Sequence, residues 1–157
     1  MYIAEIDAAT RAAVDALIKE EWAGPMIISK GEVIDTSQNP GFVCLESGEL
    51  KGILTYLVRK KECEITVLTV LDEGKGIGTE LIARVVERAK ALGCTRVWLV
   101  TTNDNTHAIR FYQKRGFDLV AFHRNAMEIS RKLKPAIPLT GIDDIPLLHE
   151  FEFEILL

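Results

Sequence analysis

The chain has 157 residues, 48% of them hydrophobic and 27% charged, with a formal net charge of -4. That length suits a single domain over residues 1–157 whose core needs no disulfide or metal staple, and the balance excludes a disordered segment. The mild acidity argues against a nucleic-acid binder, and no apolar run approaches the ~18 residues of a membrane span. The opening Met1-Tyr2-Ile3-Ala4-Glu5 lacks the basic-then-apolar pattern of a secretory leader. Cys44, Cys63 and Cys94 are odd in number, widely spaced and without a Cys-x-x-Cys pair. They read as reduced, small apolar residues of a cytoplasmic protein, with no metal expected.

In chain order, Met1 to Ile6 reads as a first strand. Ala8 to Trp22 reads as a helix capped by Asp7, with Ala9, Ala12, Ala13, Ala16 and Leu17 as its apolar positions and Gly24-Pro25 as its stop. Residues 26–40 carry turn signals and no clear period. Phe42–Glu46, Leu50–Arg59 and Glu62–Leu71 are three strand-like runs divided by short polar breaks, the layout of an antiparallel meander. A helix follows from Ile77, its stripe formed by Ile77, Leu81, Ile82, Val85, Val86, Ala89 and Leu92, with Gly93 at its end. Arg96–Thr101 reads as a buried strand with Trp98 in the core, Thr106–Lys114 as a short helix, Phe117–Phe122 as a strand and 125–133 as a helix. The tail alternates, with Phe151, Phe153 and Ile155 on one face and Glu150, Glu152 and Glu154 on the other, which predicts a half-exposed strand with a solvated acidic face. The fold class is therefore mixed α/β: a meander leading into a strand–helix–strand half.

Two segments carry chemistry. Glu73-Gly74-Lys75-Gly76-Ile77-Gly78 joins a strand to a helix. Small residues let the backbone approach a ligand, and the helix offers first-turn amides and the positive end of its dipole, which suits a phosphate or pyrophosphate. The spacing is neither a P-loop nor a dinucleotide fingerprint. The second segment runs from Asn105 through Ala108, Phe111 and Tyr112 to Gly116-Phe117, from a helix cap to a helix-ending glycine.

Together they resemble the GNAT superfamily of N-acetyltransferases. Its coenzyme loop, Gln/Arg-x-x-Gly-x-Gly/Ala, is matched at 73–78 apart from Glu73, and its later signature, Asn-x-x-Ala-x-x-Phe-Tyr-x-x-x-Gly-Phe, is matched at every fixed position. The likeness is strong from Glu64 to Phe122, and the tail is similar to a bacterial subgroup. The resemblance implies a twisted, mostly antiparallel sheet splayed between its fourth and fifth strands, with helices on both faces. It also implies transfer of an acetyl group from acetyl-coenzyme A, as cosubstrate, to a small-molecule or peptide amine. A homodimer is plausible on the same ground. The pyrophosphate would sit on Gly74, Lys75, Gly76, Ile77, Gly78 and Thr79. The pantetheine arm would pair with Leu68, Thr69 and Val70, where an N–H of Val70 or Leu71 polarises the thioester carbonyl. Asn105 and Ala108 would meet the cofactor arm. Tyr112 matches the general acid, and its other reading is a core aromatic.

The attacking amine needs a base. Glu64 is the candidate, with Glu62 as the alternative, since strand alternation puts both on the face of Thr66 and Leu68. Glu73 is unfavourable beside a pyrophosphate unless it points away, and Lys75, Arg110 and Lys114 are candidates to compensate it. Two rival readings are a coenzyme-binding regulator without turnover and an interaction protein that pairs through its tail strand.

Overall fold

The computed structural model describes all 157 residues. Nine strands and four helices alternate: β1 (Tyr2–Glu5), α1 (Arg11–Trp22), β2 (Met26–Ser29), β3 (Glu32–Asp35), β4 (Gly41–Glu46), β5 (Glu49–Arg59), β6 (Glu62–Val70), α2 (Ile77–Ala91), β7 (Arg96–Thr102), α3 (Thr106–Lys114), β8 (Asp118–His123), α4 (Ala126–Leu133) and β9 (Glu150–Leu156). The main sheet has seven strands in the order β1-β4-β5-β6-β7-β9-β8, and β2 and β3 form a two-stranded sheet. The pairs β1/β4, β4/β5, β5/β6 and β8/β9 are antiparallel, so the mixed, mostly antiparallel fold expected from the sequence is the one that forms. No helix is long and apolar enough to cross a membrane. The residues group into two compact units: Met1–Ile27 with Ile34–Val97 and Leu157, and Ile28–Val33 with Trp98–Leu156.

In the first unit, β4, β5 and β6 make the expected meander, turned by Ser47-Gly48 and Lys60-Lys61, all four in left-handed backbone, and β1 pairs with β4. The helix α1 begins at Arg11 rather than Ala8. The Asp7 carboxylate accepts the N–H groups of Ala9 and Thr10, each at 2.9 Å, and so holds a turn ahead of the helix instead of capping it. Its buried stripe is Val14, Leu17 and Ile18, with Ala12 and Ala13 exposed. Burying the larger side chains removes more apolar area from water, at about 0.8 kcal/mol per CH₂, and so sets the rotation of the helix. Val14, Leu17 and Ile18 pack with Ile27, Ile34, Val43, Ile53 and Val67. The unassigned residues 26–40 form the β2–β3 hairpin and a 3₁₀ turn over Thr36–Gln38.

The helix α2 lies on β4, β5 and β6 and buries Ile77, Leu81, Ile82, Val85 and Ala89. It comes so close at Gly52 that a Cβ there would stand 2.8 Å from Ile77 Cγ2 and 3.3 Å from Leu81 Cδ1. Gly41 opens β4 under a tighter limit, since a Cβ would lie 2.0 Å from the Leu54 carbonyl oxygen. A polar chain runs through this layer. The Asn39 side-chain oxygen can only accept, so Thr66 donates to it at 2.7 Å and in turn accepts from Thr55 at 2.7 Å. Arg11 closes the chain by donating to the Asn39 carbonyl at 2.7 Å.

The second unit packs α3 against β8, with Tyr112 meeting the rings of Phe117 and Phe153 at centroid distances of 5.5 and 6.3 Å. The loop after β7 holds the long connection to β9. Asn103 accepts from the Leu148 and His149 N–H groups at 2.9 Å each and donates to the Pro146 carbonyl, while Asp104 accepts from the Ile142 N–H at 2.9 Å. The acidic face predicted for the tail strand is not solvated. Glu150 and Glu152 are only 3% and 6% exposed: Glu150 accepts the Lys30 N–H, and Glu152 meets the Lys30 ammonium and the His123 ring.

Two outcomes follow from this packing. Gly41→Ala is expected to cost about 3 kcal/mol or more, read from urea denaturation, because the added methyl meets backbone rather than a movable side chain. Burial, helped by Cys94 and Glu64, pushes the Cys63 thiol from 9.0 up to about 12. Between these values the unfolded chain releases a proton that the folded chain keeps, so stability falls as pH rises from about 9 towards 12. Urea midpoints across that window should fall less steeply for Cys63→Ala, and parallel slopes would refute the assignment.

Candidate active site

The glycine loop lies wholly within the first unit. After β6 the chain turns through Leu71, Asp72 and Glu73, and the Leu71 N–H donates to the Lys51 carbonyl at 2.8 Å. That bond excludes Leu71 from the two amides considered for the thioester and leaves Val70. Gly74 and Gly76 have φ of 83° and 77°, which side chains rarely adopt, and a Cβ at either would meet nothing within 4 Å. The first turn of α2 closes with the Glu80 N–H on the Gly76 carbonyl at 3.0 Å. As the residue capping this helix, Gly76 has no side chain to place on the first-turn amides. Ile77 is buried and anchors the turn, so the loop backbone faces open space above a fixed helix end.

The charges around the loop depart from expectation in one respect. The Lys75 ammonium is 2.7 Å from Asp72 Oδ2 and 3.5 Å from Glu46 Oε2, so it neutralises neighbouring carboxylates rather than compensating Glu73. The hydrogen bond between them lowers the Asp72 carboxyl and raises the Lys75 ammonium. Glu73 is exposed.

Glu64 is buried on β6, 3.7 Å from Arg59, in the same unit as the loop. Glu62 holds Arg96 at 3.3 and 3.4 Å through its two carboxylate oxygens and serves as an ion pair at the strand end. The shared face predicted for Glu62, Glu64, Thr66 and Leu68 is broken. The β5/β6 register slips between Thr55 and Tyr56, so Thr55 stands opposite Val67 and Tyr56 opposite Ile65, and Thr66 faces no residue. One extra residue reverses the alternation beyond it, so spacing alone does not carry Glu64 to the side of Leu68.

Asn105, Ala108 and Tyr112 lie in the second unit on one helix. The Asn105 side chain accepts from the Ala108 N–H at 3.1 Å, the predicted cap, which leaves its amide group as a donor. Arg110 and Lys114 are exposed. Tyr112 is buried, and burial pushes its phenol above the ordinary value of 10.0, so the group keeps its proton at neutral pH. The core-aromatic reading of the ring is the one that forms.

The sequence did not reveal one further group in this unit. Lys30, at the tip of the β2–β3 hairpin, places its ammonium over the Trp98 ring and beside Glu152, which also meets His123. No motif signals it, since the four residues come from four segments; the only trace was the alternating glutamates of the tail.

Comparison with known proteins places this geometry. The model of the acetyltransferase (GNAT) family matches residues 10–117. The uncharacterized protein YdhI of Bacillus subtilis (strain 168) is 44% identical over 136 residues, 85% of this chain and 84% of that protein. Among solved structures, the IAA acetyltransferase from Bacillus cereus has a TM-score of 0.72 at 20% identity, covering 99% of both chains. A Bacillus subtilis acetyltransferase in complex with CoA also has a TM-score of 0.72, at 19% identity, over 99% of this chain and 97% of that one. A family match that spans both the glycine loop and the Asn105–Phe117 signature, with a relative this similar along most of its length, settles the kinship: the chain belongs to the GNAT acetyltransferase family.

Proposed function

We propose that the chain is a single N-acetyltransferase domain over 1–157 that moves an acetyl group from acetyl-coenzyme A to an amine by direct attack. The loop at 73–78 carries this reading: two left-handed glycines with open space where side chains would stand lead into a fifteen-residue helix whose first turn no side chain of its capping residue closes. That arrangement suits the pyrophosphate, which would rest on the backbone of Gly74, Lys75, Gly76, Ile77, Gly78 and Thr79. Leu68, Thr69 and Val70 would pair with the pantetheine arm, the Val70 N–H would polarise the thioester carbonyl, and Asn105 and Ala108 would meet the arm from α3.

In the reaction the amine nitrogen forms a bond to the acetyl carbon and the carbon–sulfur bond breaks. Tyr112, at the position that matches the family's general acid, is assigned the proton that the departing thiolate takes up. Glu64, 3.7 Å from Arg59, is assigned the proton that the acceptor ammonium gives up before its nitrogen attacks. The acceptor is a small-molecule or peptide amine. Three free, buried cysteines suit a reducing cytoplasm.

Calorimetry with acetyl-coenzyme A and with coenzyme A tests the site. Micromolar binding is expected for both, weakened at least about tenfold by Gly76→Glu, which forces a bulky anion into a left-handed position. No binding of either ligand would overturn the reading. Tyr112→Phe should lower kcat by about 100-fold while leaving coenzyme affinity unchanged. Unaltered turnover would remove Tyr112 from the acid role.

A further inference from the structure

In the second unit an aromatic ring and a carboxylate surround a primary ammonium. Lys30 is the first residue of a two-residue hairpin turn, with φ of 48°, followed by Gly31 at 77°. Its Nζ stands 4.3 Å from the centroid of the Trp98 ring and 3.1 Å from Glu152 Oε1. The Lys30 N–H donates to Glu150 Oε1 at 3.3 Å, and His123 Nε2 is 3.0 Å from the same oxygen of Glu152 that meets Lys30.

The partners differ in how firmly they are fixed. Glu150 and Glu152 are buried on β9, which lies between β7 and β8, and Trp98 is buried on β7. The Lys30 side chain is 36% exposed and reaches in on a flexible stem from a surface turn. When that stem swings out, the aromatic face and the Glu152 carboxylate remain in place, while Glu150 keeps the Lys30 backbone N–H. An ammonium gains from both, by attraction to the ring quadrupole and by charge-assisted hydrogen bonds, whereas a neutral alcohol of the same shape gains little. The ammonium seated there already shows which chemistry the group holds.

We infer that Trp98 and Glu152 form a binding site for a cationic aliphatic primary amine, with Glu150 anchoring the turn beside it, and that the Lys30 ammonium is its internal occupant, displaced when the amine enters. The inference rests on the acetyltransferase reading only in taking the bound amine for the acceptor; the binding stands apart from turnover. A free diamine and the side chain of a peptide lysine share this chemistry.

Trp22 and Trp98 are the two tryptophans, so a Trp22→Phe background leaves Trp98 as the reporter. Lys30→Met keeps the stem and the backbone N–H and removes the ammonium. The full-length protein is titrated with 1,5-diaminopentane, with the capped tripeptide Gly-Lys-Gly and with 1-pentanol. A saturable change in Trp98 emission is expected with the two amines and none with 1-pentanol, at least about tenfold tighter in Lys30→Met than with Lys30 in place. Adding Glu152→Gln should weaken it about tenfold. The tighter of the two amines identifies the source. An equal response to 1-pentanol, no response in Lys30→Met, or equal affinity with and without Lys30 overturns the inference. Should Lys30→Met not fold, the Trp98 indole N–H resonance of the unaltered protein decides: it moves saturably with the diamine, and a fixed resonance overturns the site. Acetyl-coenzyme A binding is titrated separately, so its absence alongside intact amine binding removes the transferase reading and keeps this one.

Discussion

The amide end of α2 owes its place to a missing side chain. Gly52 lets the first turn of the helix settle on β5, with Ile77 and Leu81 occupying the volume a Cβ would need. A larger residue would lift the helix away from the sheet, and the loop backbone at 74–79 would rise with it. The dipole and the first-turn amides act over one turn only, so a displacement of an ångström or two separates a phosphate cradle from an ordinary turn. Gly74 and Gly76 then shape the approach, but they work on a helix end that Gly52 has already placed. The core below, from Val14 and Ile18 to Val43 and Val67, supplies the rigidity against which this placement has meaning.

Charge is used differently at the two ends of the molecule's chemistry. The loop presents backbone amides, which need no net positive charge to meet an anion, and its lysine is held by Asp72 and Glu46. On β6 and β9, Glu64, Glu150 and Glu152 are buried: Arg59 stands beside Glu64, Lys30 and His123 stand beside Glu152, and Glu150 accepts the Lys30 N–H. An acidic chain with a pI of about 5.4 thus keeps some of its acid groups inside, where they act on specific partners, rather than as a diffuse surface field.

Much of this was legible in the residues. The glycine loop, the helical stripe that follows it and the Asn105 cap each follow from a local rule about backbone or period, and local rules survive folding. The errors share a cause, because each concerns what lies opposite a segment. Alternation divides the tail glutamates from the phenylalanines, yet it does not say that both faces of β9 are covered. The β2–β3 hairpin was unreadable because Lys30-Gly31 lacks the Asn or Asp that usually marks such a turn, and its strands have only four residues each. The extra residue at Thr66 leaves no mark on the sequence, since threonine is as much at home in a regular strand as in a bulge. The alanines of α1 fit a helical stripe, but the larger Val14 and Ile18 rotated it.

The anchoring of the tail by Asn103 and Asp104 bears on the order in which the molecule assembles. These side chains reach partners 38 to 46 positions further along the chain, and the connection they hold has little secondary structure of its own. Contacts that close loops this long form only after the nearer ones have repaid part of the entropy of ordering the chain. The meander and α2 are built from close neighbours in sequence, so they are suited to condense early. The segment from Lys134 to His149 docks late, onto a loop already shaped, and β9 enters the sheet between β7 and β8 as that segment closes. During synthesis the chain therefore passes through a stage in which the edges of β7 and β8 are bare. For that interval its protection from unwanted strand pairing depends on how quickly the last two dozen residues arrive.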